Sequence, residues 1–175
     1  VTNRFVLDFA VQYARQHPGA RMLDYGCGAG HLVSDAIAKG LEMVGADVYY
    51  GGSRTKLGAE QSGLLGTVIT EIHNNCLMFD DGTFDLIVNN QVMEHVEDLD
   101  AVLKEIQRVL KPGGTMLSLF PSREVWREGH IGIPFAHRMH PGSKVRFFYT
   151  WGLRRLGLGY WKEQAPTCRR WALDK

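Results

Sequence analysis

The chain has 175 residues, 45% of them hydrophobic and 22% charged, which is the composition of an ordinary globular protein and the length of one domain with an appendage. No apolar run approaches the roughly 18–20 residues of a membrane span, and no basic, apolar leader precedes the first expected strand, so a cytoplasmic protein is expected. The net charge of +1 conceals an asymmetry: residues 1–120 carry nine basic and fifteen acidic side chains, residues 121–175 eleven and four, which directs the search for an anionic partner to the tail.

In chain order, Phe5, Val6, Phe9 and Tyr13 stand at helical spacing and predict a first helix ending before His17-Pro18-Gly19. Residues 21–25 read as a buried strand, followed by a glycine-rich turn and a helix over about 29–39 that stops at Gly40. A second strand spans 42–47. The glycine-rich stretch 49–66 is not expected to hold a regular helix, and residues 67–72 form a short third strand. A fourth strand over 84–88 follows the turn Asp80-Asp81-Gly82. Behind a cap at Asp98, Leu99, Val102, Leu103, Ile106, Val109 and Leu110 recur every three or four residues as a helix, which Lys111-Pro112-Gly113-Gly114 ends before a fifth strand over 115–120. Strands and helices in alternation predict a doubly wound, Rossmann-like α/β sheet of at least five parallel strands, with helices on both faces.

The chemistry centres on Asp24-Tyr25-Gly26-Cys27-Gly28-Ala29-Gly30, between the first strand and its helix. Glycines at 26, 28 and 30 let backbone approach a ligand, and the helix start offers free amides. A dinucleotide fingerprint needs its third glycine at position 31, which is His31, so the pattern suits a ligand without a pyrophosphate. Asp47, closing the second strand, stands where doubly wound folds place a carboxylate on ribose hydroxyls.

The strings LDYGCGAG, GAD, FDDGTFDLIVNNQVMEHVED and LKEIQRVLKPGG together resemble the successive motifs of class I S-adenosylmethionine (SAM)-dependent methyltransferases, most of all the ubiquinone and menaquinone biosynthesis branch, over about residues 20–121. The resemblance implies SAM as cofactor, with Asp24, Gly26, Gly28 and Gly30 around its methionine moiety, Asp47 on the ribose and Val48 against the adenine. Asn75, Cys76 or Leu77 stands where the family commonly places an acidic residue for the adenine amino group. Cys27 in the turn, and Asn89 and Gln91 at the end of the fourth strand, complete the expected cofactor contacts. The family's usual closing hairpin is not found before Lys175, so either a truncated chain or a rebuilt tail is expected, and the opening on Val1 points to further N-terminal sequence.

His95 is the candidate general base, because a neutral imidazole can take a proton from a hydroxyl acceptor; the alternative is that Glu94 and His95 brace their loop. A related Glu-x-x-Glu-His motif is associated with a metal in ubiquinone-type enzymes, but Gln91 replaces its first carboxylate, and no metal is expected. In the tail, Arg127, His130, His137 and Arg138 are candidate acceptor contacts. With His140, the histidines serve the substrate or pack loops rather than bind metal. Segment 145–163 mixes aromatics with Arg146, Arg154, Arg155 and Lys162. It reads as a helix packing its apolar face on the core with a solvated basic face, as an acceptor-binding cap, or as a surface that meets a membrane or an anionic carrier.

The organisation expected is a SAM-binding core over 1–121 and a basic, aromatic segment over 122–175, within one domain, capping the crevice. The function expected is methyl transfer to an anionic acceptor of small-molecule, lipid or glycan type. The alternatives are a non-catalytic SAM-binding protein and a nicotinamide-dependent oxidoreductase, against which His31 counts. No nucleic-acid acceptor is expected, since an Asn-Pro-Pro-Tyr-type motif is replaced by Asn89-Asn90-Gln91-Val92.

Overall fold

A computed structural model describes residues 2–50, 53–120, 131–140, 142–160, 167, 169 and 172. The chain divides into two compact units, 1–120 and 121–175. In the first, α1 (Thr2–Gln16), β1 (Arg21–Tyr25), α2 (His31–Ala38), β2 (Glu42–Asp47), α3 (Arg54–Gln61), β3 (Ile69–Glu71), β4 (Phe84–Asn90), α4 (Leu99–Val109) and β5 (Leu110–Leu119) follow in sequence. The five strands form one parallel sheet in the order β3-β2-β1-β4-β5. The order reverses between β1 and β4, and such a switch point opens a crevice beyond the carboxyl ends of the strands.

Both faces of the sheet are covered, which is why its strands read as near-continuous apolar runs. On one face, Val6, Leu7 and Ala10 of α1, Leu32, Val33 and Ala36 of α2 and Ala59 of α3 pack on Met22, Leu86, Val88 and Ile69. On the other, Val102, Ile106 and Val109 of α4 pack on Leu23, Phe84 and Ile87. Each fully buried side chain of this size contributes about 1.5–3 kcal/mol. Asp98 caps α4 as expected, its Oδ1 accepting the Ala101 N–H at 2.9 Å.

Beyond strand ends that shift by a residue or two, three features differ from expectation. Helix α1 is longer at both ends than its apolar periodicity. The stretch 49–66 does contain a helix, α3: Ser53 caps it through the Lys56 N–H, and a Cβ on Gly58 would lie 3.1 Å from Ala29 Cβ. Gly58 therefore permits close packing on the turn after β1 rather than breaking the helix. Finally, Lys111-Pro112-Gly113-Gly114 is no separate turn. Leu110 already pairs with Phe84, and Leu86 next pairs with Thr115, so the intervening residues form an irregularity inside β5. Lys111 Nζ reaches back to Asp85 at 2.8 Å.

In the second unit, a 3₁₀ turn (Ala136–Arg138) and α5 (Lys144–Arg155) surround a small core of Ile131, Ile133, Ala136 and Ala172. Ser143 caps α5 by accepting the Arg146 N–H at 3.2 Å, and Tyr149 Oη donates to Pro134 O at 3.0 Å. Among the described residues, no helix is long and apolar enough to cross a membrane.

Candidate functional site

The turn after β1 is held from both sides of the Gly28 peptide. Gly28 N donates to Asp47 Oδ2 at 2.8 Å, and Tyr49 Oη donates to Gly28 O at 2.6 Å. Asp47 Oδ1 also accepts the Tyr49 N–H at 3.2 Å. Gly28 and Gly30 need glycine for different reasons. A Cβ at Gly30 would collide with Ile69 and sit 2.9 Å from Leu64, whereas one at Gly28 would meet only Thr55, at 3.6 Å. Gly28 is kept by its φ of +56° and Gly30 additionally by the core behind it.

A cavity of about 410 Å³ lies at the carboxyl ends of the strands, within the usual size range of small-molecule sites. Tyr25 and Gly26 at the end of β1, Asp47 and Val48 at the end of β2, Ile72 after β3 and Gln91 and Val92 after β4 line it. His95, in a 3₁₀ turn over Met93–His95, and Asp98 and Val102 at the start of α4 close another side. The expected residues Gly26, Asp47, Val48, Gln91 and His95 are thus brought together, and Asn75 joins them.

A smaller cleft of about 60 Å³ lies alongside, lined by Asp24, Gly26, Cys27, Asn90, His31 and Asn3, among others. Asp24 is nearly fully buried there. Burial, and then the Asp47 carboxylate, push its carboxyl up to about 7. Burial likewise raises the Cys27 thiol, so Cys27 packs in the turn as an unreactive group.

Other expected contacts lie elsewhere. Gly28 and Gly30 line neither cavity, because they shape the turn. Asn89 is fully buried between strands, its Oδ1 accepting from Ser118 Oγ of β5 at 2.6 Å, and it lines neither cavity. The neighbouring Asn90 takes the cleft position instead, donating from Nδ2 to Asn3 Oδ1 at 2.6 Å and Thr2 Oγ1 at 3.2 Å. Strand alternation was the available signal, since Leu86 and Val88 share the parity of Asn90. Leu77 is buried with its N–H on Glu105, and Cys76 is exposed; neither lines the cavity. Tyr25, inside the glycine motif but given no role there, also lines the cavity, as do Tyr50, Ile72 and Val102, which no motif marks.

In the second unit, Arg138 is exposed, its guanidinium 5.3 Å from the centre of the Phe135 ring. Arg127, His130 and the side chain of His137 lie outside the described residues. Among the described residues, no group of three His, Cys, Asp or Glu side chains is arranged to hold a metal.

Comparison with known proteins gives concordant matches. A family profile described as "Methyltransferase domain" matches residues 23–118. The ubiquinone biosynthesis O-methyltransferase of Mesorhizobium japonicum is 37% identical over 77% of this chain and 55% of its own length. The protein of the same name from Cereibacter sphaeroides is 41% identical over 57% of this chain and 40% of its own. The chain thus spans about half the length of the curated relatives it matches. A crystal structure of a SAM-dependent methyltransferase from Aquifex aeolicus superposes with a TM-score of 0.54 over 70% of this chain and 68% of that one, at 19% identity, a likeness of fold.

Proposed function

The chain belongs to the methyltransferase domain family of class I SAM-dependent enzymes, and from that premise we propose that it binds SAM in the crevice and catalyses methyl transfer to a small-molecule acceptor. Supporting this reading above all is one observation: a ligand-sized cavity at the switch point, with the Asp47 carboxylate on its wall and a second buried acid, Asp24, in the adjoining cleft. The donor and acceptor set fits such a ligand. Asp47 keeps lone pairs for ribose hydroxyls beyond the two N–H groups it already accepts. Val48 and Ile72 offer apolar surface to an adenine, and Asp24, once ionised, suits an ammonium group.

Bound SAM would supply an activated methyl group. The protein's task is then alignment and exclusion of water, and orientation of this kind contributes on the order of 7–11 kcal/mol. His95, on the cavity wall, would accept the proton of a hydroxyl acceptor. An oxygen nucleophile is supported by the names of the matched relatives, and an anionic acceptor by the net positive charge of residues 121–175.

Calorimetry with SAM, S-adenosylhomocysteine and NAD tests the cofactor: micromolar or tighter binding of the first two is expected, and preference for NAD overturns the reading. Transfer from labelled SAM into quinone, lipid, glycan and other small-molecule pools then identifies the acceptor.

A further inference from the structure

The loop after β3 reaches the cavity through an unusual backbone. Asn74 and Asn75 both have positive φ, +52° and +57°, and Cys76 N donates to His73 O at 2.9 Å, which is the pattern of a type I′ turn. Asparagine tolerates the left-handed region and suits this turn type, so the turn forms locally and its flanks fix where it sits. Upstream, Ile72 N donates to Asp47 O at 2.8 Å. Downstream, the hold comes from α4. Glu105 Oε1 accepts the Leu77 N–H at 2.7 Å, while Arg108 donates to Leu77 O at 3.0 Å and to Phe79 O at 2.9 Å. The two side chains are themselves paired, at 2.7 and 2.9 Å, with Arg108 also on Asp81 at 2.6 Å. One guanidinium thus spans two carbonyls and two carboxylates, a fork that lysine cannot reproduce.

We propose that Glu105 and Arg108, neither of which lines the cavity, are positioning residues for its nucleoside end, clamping the loop so that Asn75 stays on the cavity wall. The inference rests on the proposed SAM site. It treats α4 as more than a core helix: its buried face packs on the sheet, while these two residues carry order to the ligand through the loop.

Calorimetric titration of the full chain with S-adenosylhomocysteine tests it, because affinity and active fraction are read separately. Arg108→Ala is expected to raise Kd ~10-fold with unchanged stoichiometry, about the loss of one charge-assisted hydrogen bond. Glu105→Gln keeps shape but not charge, so it should move Kd in the same direction by less, and it serves where the alanine variant folds poorly. Arg108→Lys should fail to restore affinity. Unchanged Kd in Glu105→Gln and Arg108→Lys, with or without reduced stoichiometry, means a purely structural pair and overturns the proposal. A wild-type chain that binds no S-adenosylhomocysteine removes the functional reading itself, and the clamp's role with it.

Discussion

Asp47 and Gly28 are joined across two strands: the carboxylate at the end of β2 accepts, at 2.8 Å, the N–H at the centre of the turn after β1. The side chain proposed to hold a ribose therefore also sets the shape of the turn beside it. Asp47→Ala is expected to weaken S-adenosylhomocysteine binding by about 1–3 kcal/mol, and to speed amide exchange at Gly28. Loss of affinity with the Gly28 amide still protected would show that the two roles are separate.

Gly28 and Gly30 should respond differently to alanine. Gly30→Ala meets Ile69 and Leu64 inside the core, so the expected outcome is a clear fall in Tm. Gly28→Ala meets only Thr55 at an ordinary distance and costs about 1–2 kcal/mol for its left-handed backbone. Its larger expected effect is on ligand affinity, measured by calorimetry on a protein whose fold is retained.

The Asp24 carboxyl, pushed up to about 7, gives a pH dependence of definite sign. The folded protein holds this proton more tightly than the unfolded chain, whose Asp titrates near 3.8. Stability from this group is therefore complete below about pH 4 and is lost as pH rises through about 7. Asp24→Asn should remove that part of the slope in chemical denaturation between pH 4 and 7. A cationic ligand group beside Asp24 favours the ionised form, so binding just below pH 7 should release a proton, visible in buffers of different ionisation enthalpy.

His95 stands on the cavity wall and is proposed as the base. His95→Ala should lower the transfer rate by roughly 10²–10⁴ with nearly unchanged SAM affinity. Comparable losses of affinity and Tm would assign it to bracing the loop instead.

Where apolar periodicity and turn chemistry agreed, the sequence was enough: β1 and β2 have the boundaries read from it, and the Asp98 cap is in place. Gly58 and the Lys111–Gly114 segment misled because both look like breaks locally. Their surroundings decide otherwise, Ala29 pressed against one and Asp85 opposite the other. In the site, motif residues Gly26, Asp47 and Gln91 were legible, while Asn89 and Asn90 exchanged places because one position along a strand reverses the face. Ile72 and Val102 carry no motif, since aliphatic side chains give no signal beyond the apolar pattern of their elements.

The strand order carries a consequence for synthesis. β1 lies at the centre of the sheet between β2 and β4, yet β4 begins only at Phe84, some way after β1 ends at Tyr25. At roughly 5–20 residues per second, a ribosome needs several seconds to supply the missing neighbour. Throughout that interval the nascent chain exposes the backbone of Met22, Leu23 and Asp24 as an open edge, a template for pairing with the wrong strand. The same segment leads directly into the glycine turn, so the ligand site is assembled from a strand whose partner is among the last to arrive.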